Sequence, residues 1–447
     1  MPDVTDELTP LEYHTTVASR LEALEPRVWA LFRDAARGAP AESQPDPAAP
    51  SATAEDDLEQ QLLRHAYRME ANAHPRVHEA ARAAASTLGL EMPIVIYQLE
   101  GRDGANAALA FRPHEGVLAL SGNILALLTD EELVACFGHE LAHHRLWTAD
   151  GGRILVADRM LGALSVDAAT PAAYLETARR FDLATELYAD RGSLIASGNL
   201  DVAIASLVKV ATGLGDVDPN AFLRQAEAAH PERGTEGTTH PETVLRAWAL
   251  ARWHAGEGDT GPATLLAPSL DIERLDLVDR ERLETLTRRL ILDVLAVDWI
   301  RTDAVVGHAR QFLVETAPSA STRRDGWGRK RASEVSPASP PVQVRLSDGT
   351  PKETLRFLSY VLLDLATVDP DLDDEGMAEV LAVARETGLA AAFEEVARKE
   401  LGLGQRAWDA LAKRSLDRRV GAVEPTPSTA PGSAGTLAPA DQRGAGT

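Results

Sequence analysis

Two histidines four residues apart, with a glutamate directly after the first, constrain this chain more than any other feature. His139-Glu140-Leu141-Ala142-His143 lies in a stretch, Thr129 to Trp147, whose pattern predicts a helix. Thr129 stands where an N-cap belongs, and Glu132 follows at the spacing of a capping box. Leu133, Phe137 and Leu141 then recur at helical intervals. Positions i and i+4 share one helical face, so both imidazoles can grip a single metal ion. Glu140, one step round from His139, can take a proton from a water on that ion. With twelve histidines in 447 residues, such a pattern arises by chance in roughly a few per cent of chains. The plain alternative is an amphipathic helix with two surface histidines.

A catalytic zinc site takes three protein ligands and keeps one position open, so the reading requires another ligand downstream. A second predicted helix, Ala178 to Ser197, carries Glu186 and Asp190 four residues apart among Leu183, Leu187, Leu194 and Ile195. Acids on such an apolar helix are costly unless something positive meets them. Glu186 suits the metal, and Asp190 suits the free N–H of a ligating imidazole. The alternative pairs both acids with Arg179, Arg180 or Arg191 as a solvated ion-pair face.

These segments, in order, resemble the HtpX-like peptidases, the family that also holds the CAAX prenyl endopeptidases. Asp130-Glu131-Glu132-Leu133 running into His139-Glu140-Leu141-Ala142-His143 is close to that family's first metal helix. Glu186-Leu187-Tyr188-Ala189-Asp190 is similar to its E-x-x-A-D, whose glutamate is the third zinc ligand. His240-Pro241-Glu242-Thr243-Val244-Leu245-Arg246 matches an H-P-x-x-x-x-R segment. Asn106-Ala107-Ala108-Leu109-Ala110-Phe111 resembles the edge strand along which such enzymes lay their substrate, which makes Asn106, Ala108 and Ala110 substrate-binding candidates. The resemblance spans about residues 60 to 255. It implies one Zn2+ per chain on His139, His143 and Glu186, with Glu140 as general base and Asp190 behind the ligands, and an extended peptide or protein as substrate. Thr239 and Pro241 fit a helix start, and Arg246, one to two turns in, can aim at an oxyanion. His240 can donate to the same charge. A loop histidine and a surface ion pair are the alternatives for these two. His144 is expected at the surface or behind the ligands, and Cys136 as a small buried apolar residue.

The fold expected is mainly α, of the α+β class: a gluzincin-type metallopeptidase domain with a small antiparallel edge sheet, followed by an all-helical C-terminal module. The boundaries expected are an N-terminal helix and linker at 1–54, the metallopeptidase domain at 55–256 and a helical region at 257–317. A linker at 318–350, a helical module at 351–417 and a disordered tail at 418–447 follow. Within the N-terminal part, residues 8 to 36 read as one helix and Gly38 to Thr53 as linker.

The single cysteine allows no intramolecular disulfide, as in a reducing cytoplasm. The acidic start, Met1-Pro2-Asp3-Val4-Thr5-Asp6-Glu7, is not a secretory signal. No eighteen-residue apolar stretch occurs, which departs from the membrane-spanning members of the family. A formal charge of −23 argues against nucleic acid as a partner.

In the C-terminal half, Leu362 to Asp369, the acidic turn Asp371 to Glu375, and Val380 to Leu389 resemble the helix, turn and helix of TerB-like domains, small helical modules associated with stress and defence. A calcium loop counted from Asp369 would need glycine and glutamate where Asp374 and Val380 stand, so the acids are better read as capping the next helix. The chain is therefore read as a cytoplasmic zinc endopeptidase whose helical module docks a protein partner. One alternative is a zinc-containing scaffold acting through its helical half without turnover. Another puts the same site to work on a non-peptide amide or ester.

Overall fold

The computed structural model describes residues 8–36, 60–100, 104–229, 235, 240–266, 272, 274–313, 346 and 350–420. The linker expected at Gly38 to Thr53 lies outside them, as do the linker at 318–350 apart from 346 and 350 and the tail apart from 418–420. The chain divides into two compact units: Met1–Leu286 with Asp348–Thr354, and Thr287–Ser347 with Leu355–Thr447.

The first unit begins with Glu12–Leu24 (α1) and Pro26–Ala36 (α2) rather than one helix over 8 to 36. Pro26 explains the break: it lacks an N–H and disfavours helical geometry at the residue before it, while fitting the first turn of a new helix. After Ala66–Arg68 (β1) and Pro75–Thr87 (α3) come the strands Ile94–Leu99 (β2), Asn106–Arg112 (β3) and Glu115–Ser121 (β4). They form a sheet in the order β1-β2-β4-β3. The small sheet and its antiparallel edge pair, β3 with β4, are as expected. It is mixed, however, because β2 runs parallel to β4. Burial accounts for the order: Val117, Leu118 and Leu120 of β4 are buried, while Asn106 and Ala108 of β3 are exposed. The more apolar strand takes the inside and the other becomes the edge.

Asp130–Thr148 (α4) starts on the expected capping box: the Glu132 amide donates to Thr129 Oγ1 at 3.3 Å, and the Thr129 amide to Glu132 Oε2 at 2.9 Å. Arg153–Ser165 (α5) follows, then the long helix Ala172–Ser197 (α6), which begins six residues earlier than its pattern predicts. Gly198 ends α6 in the left-handed conformation (φ 64°), and Asn199 caps Leu200–Thr212 (α7) by accepting from the Asp201 amide at 2.9 Å. Pro219–Ala228 (α8), Thr243–His254 (α9) and Thr260–Leu266 (α10) complete the surroundings of the site.

Helices α4 and α6 meet backbone to backbone, and two glycines make this possible. A Cβ on Gly138 would lie 2.4 Å from Ala196 Cβ and 2.8 Å from the Gly192 carbonyl oxygen. A Cβ on Gly192 would lie 2.3 Å from Ala142 Cβ and 2.9 Å from the Gly138 carbonyl oxygen. Gly138→Ala should gain up to about 1 kcal/mol of helix propensity. It must also push the helices apart against a fully packed core, at a cost of roughly 1–3 kcal/mol, so the net effect expected is a lower melting temperature. A variant at least as stable as the parent in thermal unfolding would contradict this.

In the second unit, Asp303–Ala309 (α12), Lys352–Thr367 (α13), Asp373–Thr387 (α14), Ala390–Glu400 (α15) and Gln405–Val420 (α16) bury Leu362, Leu381, Phe393 and Trp408. Leu277–Leu295 (α11) precedes them in sequence. In the acidic turn, Asp369 caps a short 3-10 turn, Pro370–Leu372, by accepting from the Asp371 amide at 3.0 Å; α14 itself has no side-chain cap, and Asp373, Asp374 and Glu375 stand at the positive end of its first turn.

Candidate active site

Helices α4 and α6 run antiparallel, so the Gly138–Gly192 contact sets the histidines of α4 beside Glu186 of α6. His139, His143 and Glu186 each present a ligand atom, all within 4.8 Å of one another. His139 Nε2 is 3.6 Å from Glu186 Oε2, and His143 Nε2 is 3.8 Å from Glu186 Oε1. Ligands at zinc distances in a tetrahedron are separated by roughly 3.4 Å, so the donor set fits a single ion. The two imidazole rings stand 84° to one another with centroids 5.1 Å apart. His143 stacks on Trp147 at 5.5 Å.

Behind these three residues, Asp190 Oδ1 is 3.1 Å from His139 Nδ1, which fixes that ring with Nε2 toward Glu186. Arg246, on α9, donates through Nε to Asp190 Oδ2 (2.8 Å), through Nη2 to Asp190 Oδ1 (2.6 Å) and through Nη1 to Glu186 Oε2 (3.2 Å). The guanidinium therefore clamps Glu186 and Asp190 of α6 together. The pairing with Arg179, Arg180 or Arg191 is not what α6 uses: Arg179 and Arg180 bind Glu176, and Arg191 binds Asp259. His240 sits at the exposed rim with Nδ1 3.1 Å from Glu186 Oε2.

The electrostatics follow from this packing. Burial favours the neutral form of Glu186, but hydrogen bonds from His139 and His240 and the charge of Arg246 hold it far below the usual carboxylate range. Burial alone would lower His139; hydrogen bonds to Asp190 and Glu186 overcome it and raise it to about 10. His143, lowered to about 4 by burial and by the charge on His139, stays neutral. Burial lifts Glu140 to about 7, although His139, Arg246 and the Leu109 amide pull the other way. A carboxyl poised near neutrality suits both taking and giving a proton.

The Leu109 amide belongs to β3, so the edge strand lies directly beside Glu140. A cleft of about 690 Å³ holds the whole set and is lined along one side by Asn106, Ala107, Ala108 and Leu109. Ala110 is on the same strand but is not in the cleft wall. Cys136 is buried and has a free thiol. His144 is buried rather than at the surface, with Nε2 2.9 Å from the Arg112 carbonyl oxygen. The glycines at 138 and 192 went unread as site residues, although a glycine inside each predicted metal helix is itself a signal of close packing.

Residues 71–254 match the model of peptidase family M48. The match covers under half of the chain but contains the complete histidine–glutamate cluster, the edge strand and Arg246. It supports a metallopeptidase domain over this span, and M48 peptidases are typically zinc-dependent. No curated protein and no solved structure matches the chain.

Asn at position 190 tests the clamp. Asp190→Asn leaves a neutral partner to His139 and an unbalanced Arg246, so zinc affinity should fall about 10- to 100-fold. Competition with a chromophoric chelator reads this directly; unchanged affinity would remove Asp190 from the site.

Proposed function

We propose that the chain is a zinc-dependent endopeptidase of HtpX-like type that hydrolyses peptide bonds of extended segments. The observation that carries this reading is the convergence of His139, His143 and Glu186, the neighbouring Glu140 and an open strand edge in one cleft. Zinc on His139, His143 and Glu186 would supply Lewis acidity toward a water and a peptide carbonyl.

The residues of the chain do the rest. The edge of β3 adds an extended substrate segment as a further strand, which brings the scissile carbonyl beside Glu140. Glu140 accepts the proton of the attacking water and passes it to the leaving amine. His240, exposed at the rim, donates a hydrogen bond to the oxygen on which negative charge develops. Arg246 holds Glu186 and Asp190 in place, and Asp190 holds His139. Peptide amides fit better than small esters because a strand edge recognises a backbone of several residues.

The helical C-terminal unit is assigned as a TerB-like docking module for a protein partner. The single buried cysteine and the absence, among the described residues, of any helix long and apolar enough to cross a membrane support a cytoplasmic setting. The test is cleavage of an unfolded protein such as casein: it should be abolished by a chelator and restored by added zinc. Cleavage that persists in the metal-free protein would overturn the reading.

A further inference from the structure

The cleft is not uniform along its length. Toward the Asn106 end, α7 contributes Leu207, Val210 and Ala211, an apolar wall. The opposite end is marked by Trp147, whose ring meets Phe111 at the far end of β3 at 5.5 Å. Two further carboxylates line the cleft: Asp158 from α5 and Asp182 from α6. Both belong to the Trp147 end. Helix α5 follows α4 directly after Trp147, and Asp182 lies one turn before Glu186 on a helix antiparallel to α4.

Neither acid has an ion-pair or hydrogen-bond partner among the described residues, whereas the neighbouring acids Glu176, Glu186 and Asp190 are all paired. Their ionisation agrees with this. Burial pushes Asp158 up to about 6, only partly offset by Arg159. Asp182 is exposed in the cleft; partial desolvation, then the charges of Asp158 and Glu186, push it up to about 7, with His240 opposing. Two like-charged carboxylates thus line the cleft with no ion pair or hydrogen bond of their own among the described residues, and neither the metal site nor packing uses them.

We propose that Asp158 and Asp182 form a subsite of the cleft that takes a cationic group of the substrate, an ammonium or guanidinium, on the Trp147 side of the scissile bond. This rests on the peptidase reading above. An ionised carboxylate only accepts hydrogen bonds, so a donor-rich cation satisfies both acids at once and relieves their repulsion. A guanidinium, with five donors in a planar fork, can bridge two carboxylates on neighbouring helices. If the peptide lies antiparallel to β3, its N-terminal side reaches Trp147, so the cation belongs to a residue before the scissile bond. Two sources share this chemistry: the side chain of lysine or arginine, and a free α-amino group.

The experiment uses the full zinc-loaded chain and matched fluorescent peptides. These carry lysine, arginine, norleucine or glutamate at one scanned position, each with a free or an acetylated N-terminus. Binding is read by anisotropy on Glu140→Gln, and cleavage by kcat/KM on the parent. Lysine and arginine peptides should bind about tenfold more tightly than norleucine peptides. In the Asp158→Asn/Asp182→Asn double variant that ratio should fall to within about twofold. The ratio is the readout, so an overall change in rate or stability does not mask it, and Asp182→Asn alone serves if the double variant fails to fold. A preference that follows the side chain assigns the subsite to lysine or arginine; one lost on acetylation assigns it to a free amine. Basic and neutral peptides bound and cleaved alike, or a ratio untouched by the double variant, overturn the subsite and leave the peptidase standing. No binding and no cleavage of any peptide overturn both.

Discussion

Glu140→Gln should abolish peptide cleavage by about a thousandfold or more while leaving the zinc content of the protein unchanged. Glu140 stands on α4 beside the ligand His139 but is not one of the three groups that converge on the metal position. Its carboxyl is raised to about 7 by burial and accepts from the Leu109 amide on the edge strand. Glutamine keeps the size and one acceptor oxygen but cannot take a proton from water. The expected combination, metal bound and turnover lost, separates a general base from a structural residue. Rates for parent and variant on one unstructured substrate, alongside metal analysis of both, check it. A variant within tenfold of the parent would remove Glu140 from the chemistry.

Glu186→Ala should strip the metal. Glu186 is the partner shared by His139, His143, His240 and Arg246, at distances from 3.1 to 3.8 Å. Its removal takes away the only carboxylate among the three converging groups and leaves three imidazoles and a guanidinium with less negative charge to balance them. Residues behind metal ligands already change affinity about 10- to 100-fold, so loss of a ligand should exceed about 100-fold. Elemental analysis after dialysis, with circular dichroism to confirm the fold, measures it; full zinc occupancy in the variant would exclude Glu186 as a ligand. A proton accompanies the metal. His139 is raised to about 10 by its bonds to Asp190 and Glu186, against burial, so at neutral pH it must give up a proton before Nε2 can ligate. Zinc affinity, read by chelator competition, should therefore rise as the pH is raised through neutrality.

What could be read in the sequence followed the range of the interactions involved. The capping box of Thr129 and Glu132 spans three residues, and the His139–His143 pair spans four. Both are local, and the helix period decides them. Glu186 and Asp190 were legible as two acids on an apolar helix, but the identity of their cation was not. Arg246 lies 56 residues beyond Asp190 in the chain, and nothing local says that its guanidinium turns back onto the ligand helix. The strand order was not legible, for a similar reason. The β3–β4 hairpin is local, whereas the parallel pairing of β2 with β4 depends on which strand is the more apolar once the sheet packs on its helices. Gly138 and Gly192 carried a faint local signal, a glycine within each metal helix, but its meaning appears only when the two helices are set face to face. Asp158 and Asp182 had no sequence signal at all, because they come together only through the antiparallel packing of α4, α5 and α6.

One zinc ion on His139, His143 and Glu186 should be what makes this chain a peptidase. Stepwise addition of zinc to the metal-free protein, with cleavage followed at each step, tests it most directly. Activity should rise linearly and level off at one zinc per chain. Zinc bound at one equivalent with no cleavage at any point, or cleavage that is present before zinc is added, would contradict it.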